Sequence, residues 1–469
     1  MKGLQWRIVG ILTAALFLLH GCEGFLLAPI AHASLSVEKE KEMGKRLVLQ
    51  IERQLEIIRD PTVQQFLERI GERIVSHSGH APYDFRFYVV KSPDPNAFAI
   101  PGGHVFLASG LIIMASSEDE IAGVVGHEIA HIKARHIAKR IERSRKLSLL
   151  SLAGILAGVI MGGKATGAMT ATSLAAGQAL ALKYSRDDEK EADQLGFGYL
   201  TEAGYDEWGL VSFLKKMYQA SFQPSGTPPS YLSTHPGTEE RISYLLEKLR
   251  DSSPRARDGE EKELKRVQAK LFVEERRPQT AVEYFQSILK GNPNDLDAIY
   301  GLALGFKKMG RIDLAIGELE RARGLAPRDG DIARDLGICY FSRGMLAEAV
   351  SVLRESQAIN RGDILSLYYM GRAYQEKGDL DAALEAYLKA KSMSTEVVDL
   401  YYSLGMVYGK KGDVCKSHRN FSIYFDKTGE FKRALDHLKQ ASRYCAEQDE
   451  IKVEISRMEK LLKEEAEDH

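Results

Sequence analysis

The chain has 469 residues, with 64 Lys plus Arg against 65 Asp plus Glu, 44% hydrophobic residues and 8% aromatics. That length exceeds one compact core and predicts two or three domains, while the apolar fraction excludes wholesale disorder or a fibrous chain. A formal net charge of −1, and four cysteines without a CxxC pair, exclude nucleic acid as the main partner, a disulfide-built scaffold and a cysteine zinc site.

Lys2 and Arg7 precede the uncharged run from Ile8 to Leu19, the pattern of a secretory signal. That run would rise ~18 Å as helix, short of the ~30 Å of a membrane core, so a permanent span is not expected. Cleavage after Ala31-His32-Ala33 would define a signal peptide of residues 1–33. Leu19-His20-Gly21-Cys22 offers a lipobox with Cys22 lipidated as the alternative, and an uncleaved anchor is the third. Each exports the chain, so a periplasm-like location is expected, lipid-anchored if Cys22 is used.

Phe85, Phe87 and Val89 alternate with Arg86 and Tyr88, which predicts a strand of a small sheet. Ser117-Glu118-Asp119-Glu120 reads as a capping box opening a helix, with Ile121, Val124, Val125 and Ile129 on its apolar face. On that helix lies His127-Glu128-Ile129-Ala130-His131. Residues four apart differ by ~40° around a helix, so both imidazoles can address one metal. Glu128, ~100° from His127, can reach a water instead. A catalytic zinc needs a third protein ligand. The metzincin spacing is excluded, because Ala134 and Ile137 stand where its Gly and His would be. His136, ~140° from His131 on a continued helix, is not expected to ligate and reads as a supporting histidine behind the ligands or as a surface one.

The uncharged stretches within 147–182, broken only by Lys164, predict a hydrophobic lid or membrane-leaning hairpin. A true membrane hairpin and ordinary core helices are the alternatives. Beyond it, Glu189 and Asp193 lie four apart, so one can bind metal while the other orients a ligating imidazole. Glu191, ~200° from Glu189, is expected in solvent. Asp187 and Asp188 suit the positive end of the helix that begins there.

Residues 251–262, polar and carrying Pro254 and Gly259, read as a linker. After it, Gly310, Gly344, Gly378 and Gly412 recur every 34 residues, the tetratricopeptide period. Leu302, Leu336, Met370 and Leu404 keep phase, as do Ala303, Gly337, Gly371 and Gly405 at a position of close helix approach. Each unit is a helical hairpin that buries its apolar face only by stacking. Ala281, Phe285 and Ile288 suit an earlier, degenerate unit; Ala434, Leu438 and Ala441 suit a later helix, and 446–465 a polar cap. A Cys415–Cys445 bridge is compatible with export. The expected class is α+β: a mainly helical HExxH zinc-peptidase domain with a small sheet (34–250), then an α-solenoid of tetratricopeptide repeats (263–469).

His127-Glu128-x-x-His131 followed by Glu189-x-x-x-Asp193 resembles the gluzincin metallopeptidases typified by the CAAX prenyl protease, whose bacterial members include periplasmic enzymes. Asn96-Ala97-Phe98-Ala99 is similar to that family's strand beside the cleft, and His235-Pro236 with Arg241 to a pair near its metal. The resemblance implies one zinc ion per chain on His127, His131 and Glu189, with Glu128 as general base and then acid. It implies that Asp193 orients an imidazole and that His235 or Arg241 stabilises the oxyanion, His235 also being able to cap the zinc at rest. Asn96, Ala97 and Phe98 are implied to bind substrate, through a strand edge that can pair with an extended chain. The implied function is envelope quality control: hydrolysis of misfolded or stalled outer-membrane proteins, with the repeats binding clients or the assembly machinery. A chaperone or scaffold with conditional proteolysis is the alternative.

Overall fold

The computed structural model describes residues 35–143, 183–222, 229–255, 261–393 and 397–467, with Gly154 and Gly158. The leader, the Cys22 lipobox and nearly all of 147–182 lie outside the described residues. No helix among those described is long and apolar enough to cross a membrane.

Ser36 caps α1 (Val37–Gln54) and Asp60 caps α2 (Pro61–His77), where Pro61 fills the first turn without wasting an N–H. Four strands, β1 (Ile57–Ile58), β2 (Arg86–Val90), β3 (Ala97–Ile100) and β4 (His104–Ala108), form a sheet in the order β1-β2-β4-β3. The central pair β2–β4 is parallel and both outer pairs are antiparallel. The alternation around residue 87 is that of β2. Phe87 and Val89 join the core shared with α2, while Tyr88 packs on the side of α1.

Helices α3 (Ser109–Met114), α4 (Glu118–Lys133), α5 (His136–Arg143), α6 (Arg186–Ala203), α7 (Trp208–Ala220), α8 (Ser230–Thr234) and α9 (Thr238–Lys248) complete this half. Ser117 caps α4 by accepting from the Glu120 N–H, but Glu120 accepts from Ser116 rather than closing the reciprocal box. The reciprocal box forms on α6, between Ser185 and Asp188. Residues 118–132 of α4 are all buried, so this helix runs through the middle of the domain instead of lying half-covered on it. Gly196 of α6 crosses α4 so closely that a methyl group there would come 3.1 Å from the His127 nitrogen and 3.2 Å from Gly126. That crossing brings the His127–His131 turn of α4 against the segment that carries Glu189 and Asp193.

The second half is a stack of hairpins: α10 (Glu261–Glu275) with α11 (Pro278–Gly291), α12 (Leu296–Lys308) with α13 (Ile312–Leu325), and α14 (Gly330–Ser342) with α15 (Leu346–Ile359). Then come α16 (Ile364–Lys377) with α17 (Leu380–Met393) and α18 (Val398–Lys410) with α19 (Val414–Lys427), closed by α20 (Phe431–Tyr444) and α21 (Gln448–Glu467). The recurring glycines at 310, 344, 378 and 412 take φ of 74°, 80°, 83° and 83°, a left-handed turn that side chains resist. Gly337, Gly371 and Gly405 lie against Leu353, Tyr387 and Phe421, partners that repeat with the same 34-residue period. Cys415 and Cys445 form a disulfide that ties α19 to the end of α20, and Cys339 is free and buried.

Helix α10 serves two cores. Its Leu264, Val267 and Leu271 pack into the first domain, while Ala269 and Val273 pack into the repeats. The linker boundary drawn at residue 262 therefore falls inside the first turns of a shared helix. The junction is also polar. Lys270 donates to Asp60 at 2.9 Å, Arg334 donates to Thr62 at 3.2 Å, and the buried Asp335 receives Tyr300, Lys307 and Arg334 at 2.6, 3.0 and 3.1 Å.

Burial alone would raise the Asp335 carboxyl, but Lys270, Lys307 and Arg334 hold it well below the usual carboxylate range. A folded value below the unfolded ~3.9 gives stability that is complete above that pH and is lost as pH falls through the folded value. Asp335→Asn should cost roughly 3 kcal/mol at neutral pH and flatten the acid limb of stability, read by urea unfolding from neutrality down to about pH 3. An unchanged acid limb would contradict this role.

Candidate metal centre

Three helices and one short turn deliver the site. His127, Glu128 and His131 come from α4, Glu189 and Asp193 from α6, His235 from the end of α8, and Arg241 from α9. All seven are buried. Charged groups so deep are costly unless paired or coordinating a cation.

Four of them converge. His131 Nε2 stands 3.0 Å from His127 Nε2, and His235 Nδ1 stands 3.3 Å from that same nitrogen. Glu189 brings its carboxylate to 3.4 Å from both His127 Nε2 and His131 Nε2, and to 3.0 Å from His235 Nδ1. One ligand atom from each of the four lies within 4.8 Å of every other, so the group can hold a metal ion. A tetrahedron of donors ~2.05 Å from zinc has edges of about 3.3 Å, the range seen here.

The outward nitrogens explain why the inner ones face the centre as acceptors. His127 Nδ1 lies 2.9 Å from Asp193 Oδ1, and a proton held there leaves the lone pair of Nε2 pointing inward. Arg241 grips Asp193 with two bonds of 2.7 Å and reaches Glu189 Oε2 at 2.6 Å, and Tyr244 also donates to Asp193. The guanidinium thus fixes the two carboxylates. Burial would raise the Glu189 carboxyl, but His235 and Arg241 hold it well below the usual carboxylate range. Glu128 differs: both of its oxygens lack a hydrogen-bond partner among the described residues, and burial pushes its carboxyl up. His235 Nε2 approaches it to 3.4 Å without a hydrogen bond.

Two tyrosines that sequence reasoning missed cover the ring of histidines. Tyr184 stacks on His131 with centroids 3.7 Å apart, and Tyr231 stacks on His235 at 4.3 Å. Tyr231 could have been found from its spacing four before His235 on the same turn; nothing local marks Tyr184. His136 stays out of the group that could hold a metal, as expected, and stands behind His131 with Nδ1 2.8 Å from His131 Nδ1. Arg135 takes φ 58°, the one positive φ at a non-glycine residue among those described, and this turn folds α5 back so that His136 faces His131. Glu191 is exposed, as expected, and one of its oxygens meets His136 Nε2 at 3.2 Å.

The substrate-strand residues are placed less directly. β3 ends the sheet beside α4, but Phe98 turns away from the metal residues into the core with Leu47, Ile51 and Phe106. Asn96 is buried, and its carbonyl accepts from the Ala108 N–H at 2.8 Å. It is Ala99 and Ile100 that line a small cavity, about 10 Å³, together with His131 and Tyr184.

Two histidines, a crossing-helix glutamate and a further histidine thus form a group that could hold a metal ion beside the unpaired buried Glu128, in a domain joined to a helical repeat array. Residues 61–249 match the model of Peptidase family M48, and 300–364 and 371–412 match tetratricopeptide repeat models. The chain is 28% identical over 346 residues to the beta-barrel assembly-enhancing protease of Escherichia coli, across 72% of this chain and 70% of that one. It is 31% identical over 231 residues to a putative beta-barrel assembly-enhancing protease of Vibrio cholerae, across 49% and 48%. With the mitochondrial metalloendopeptidase OMA1 of Schizosaccharomyces pombe it shares 33% over 184 residues, across 39% and 52%. The chain is a metalloendopeptidase that carries a Peptidase family M48 domain followed by tetratricopeptide repeats.

Glu189→Ala should weaken metal binding sharply and lower the metal content of the purified protein, because it removes the anionic donor of the four and leaves the Arg241 guanidinium that paired with it uncompensated beside the centre. Full metal content in that variant would remove Glu189 from the site.

Proposed function

We propose that this chain is an exported zinc endopeptidase of envelope quality control, cutting misassembled or stalled outer-membrane proteins that its repeats help to engage. The observation that carries the chemistry is the convergence of His127, His131, Glu189 and His235 beside the unpartnered carboxylate of Glu128. Zinc fits that donor set, and when bound it would supply Lewis acidity, bringing the pKa of a water from about 15.7 toward 7 and polarising a carbonyl.

The protein's own groups do the rest. Glu128 takes a proton from the attacking water and hands it to the leaving amine, a transfer favoured by a carboxyl that burial pushes up. Asp193 keeps the proton on His127 Nδ1, and Arg241 holds Asp193 and Glu189 in place. Arg241 has both carboxylates as partners, so the oxyanion falls to His235 once that side chain leaves the ring. With zinc bound, His235 would complete the ligand set, and a closed set of four would resemble a structural site rather than an open catalytic one. Its departure is therefore the activating motion. The edge of β3 offers backbone groups to an extended substrate.

Export is supported by the leader pattern and by the Cys415–Cys445 disulfide, a bond that persists in oxidising compartments. The names of the relatives point to β-barrel assembly as the setting. The closed ring also favours the second reading, a scaffold or chaperone whose proteolysis is conditional.

Glu128→Gln should keep its zinc and lose peptide hydrolysis by about a hundredfold or more, whereas His235→Ala should keep zinc on the three remaining ligands and cleave faster than wild type, opening of the capped site outweighing the lost oxyanion contact. Cleavage assays on an unfolded barrel protein, with metal analysis alongside, test both. A Glu128→Gln variant as fast as wild type would sink the mechanism. A slower His235→Ala would leave His235 as oxyanion partner alone.

A further inference from the structure

His131 and His127 are supported differently on their outer sides. His127 has a carboxylate, Asp193, at its Nδ1. His131 has another imidazole. Its Nδ1 lies 2.8 Å from His136 Nδ1, the rings meeting edge to face with centroids 5.0 Å apart. The far nitrogen of His136, Nε2, lies 3.2 Å from Glu191 Oε2, a carboxylate that opens to solvent.

The direction of this chain follows from the centre. His131 turns Nε2 toward His127 and Glu189, so Nε2 is the atom with the free lone pair and Nδ1 carries the proton. A neutral imidazole has one donor and one acceptor. His131 Nδ1–H therefore donates, and His136 Nδ1 must accept. His136 then holds its own proton on Nε2 and donates it to Glu191. His136 is itself buried at 2% exposure, so the arrangement is enclosed by protein rather than dissolved in water. Arg135, with its left-handed backbone, is the residue that makes the turn and aims His136 back at α4.

We propose that His136 is a positioning residue for the metal centre, fixing the tautomer and ring orientation of His131, with Glu191 fixing His136 in turn. The inference rests on the metal reading of His127, His131, Glu189 and His235. It adds that one ligating histidine is oriented by an imidazole–carboxylate pair instead of a carboxylate. Outer partners of this kind are commonly worth 10- to 100-fold in metal affinity.

The test compares the full mature chain with His136→Phe and His136→Asn. Phenylalanine keeps the ring and removes the acceptor; asparagine can place an oxygen near the position of Nδ1. Zinc dissociation constants come from chelator competition, coordination from the visible absorption of the cobalt(II)-substituted proteins, and folding from the Tm of the metal-free forms. The expected result is zinc binding weakened about 10- to 100-fold in His136→Phe, with a changed cobalt spectrum and an unmoved metal-free Tm, while His136→Asn stays close to wild type in all three. Zinc affinity in His136→Phe equal to wild type would overturn the proposal and leave the metal centre standing. Equal weakening in both variants, in step with a lowered metal-free Tm, would reduce His136 to packing and also overturn it. A wild-type chain that binds neither ion would overturn the metal centre and this inference together.

Discussion

Three imidazole nitrogens and a carboxylate that face one another at about 3 Å in a dry interior need a shared proton or a cation among them to offset their lost hydration. Everything around the centre is organised by that constraint. His127 and His131 are held four apart on a helix that is buried all round. Glu189 can approach because α6 crosses α4 at two glycines, Gly126 and Gly196. The buried anions Asp193 and Glu189 are in turn held by the guanidinium of Arg241. Removing any one of these groups leaves the others as uncompensated charges, so the cluster specifies its own geometry.

The chemistry was legible in residues whose spacing is fixed by a single helix. His127, Glu128 and His131 needed only the helical pitch, and the pairing of Glu189 with Asp193 needed only a shared face. The repeats were legible for the same reason: each hairpin contacts its neighbours, so the 34-residue period carries the fold. What was not legible depends on where elements end. The helical pitch set His136 aside as a ligand but could not say which group it would face, because the left-handed turn at Arg135 has no glycine to announce it. Tyr184 reaches His131 from a segment more than fifty residues away, and no local pattern encodes that meeting. The strand at 97–100 was recognisable, but its side-chain facing was not; Phe98 belongs to the core with α1.

The two halves are one folded unit at their junction. The N-terminal cap of α2 sits against α10 and α14, with Asp60 and Thr62 bonded to Lys270 and Arg334. The first hairpins of the array are thus engaged with the peptidase domain, whereas α16, α18 and α19 line an aromatic groove around Tyr368, Tyr402 and Tyr424. The disulfide lies at the far end of the array, where stacking on one side only gives the least support.

X-ray absorption at the zinc edge is the most direct measure of the centre, because imidazole rings give a countable multiple-scattering signature. The resting protein should show four nitrogen or oxygen ligands at about 2.0–2.1 Å, three of them imidazoles, and His235→Ala should lose one imidazole. A wild-type spectrum with one imidazole or none, or an oxygen-rich six-coordinate shell, would contradict the ring of His127, His131, Glu189 and His235.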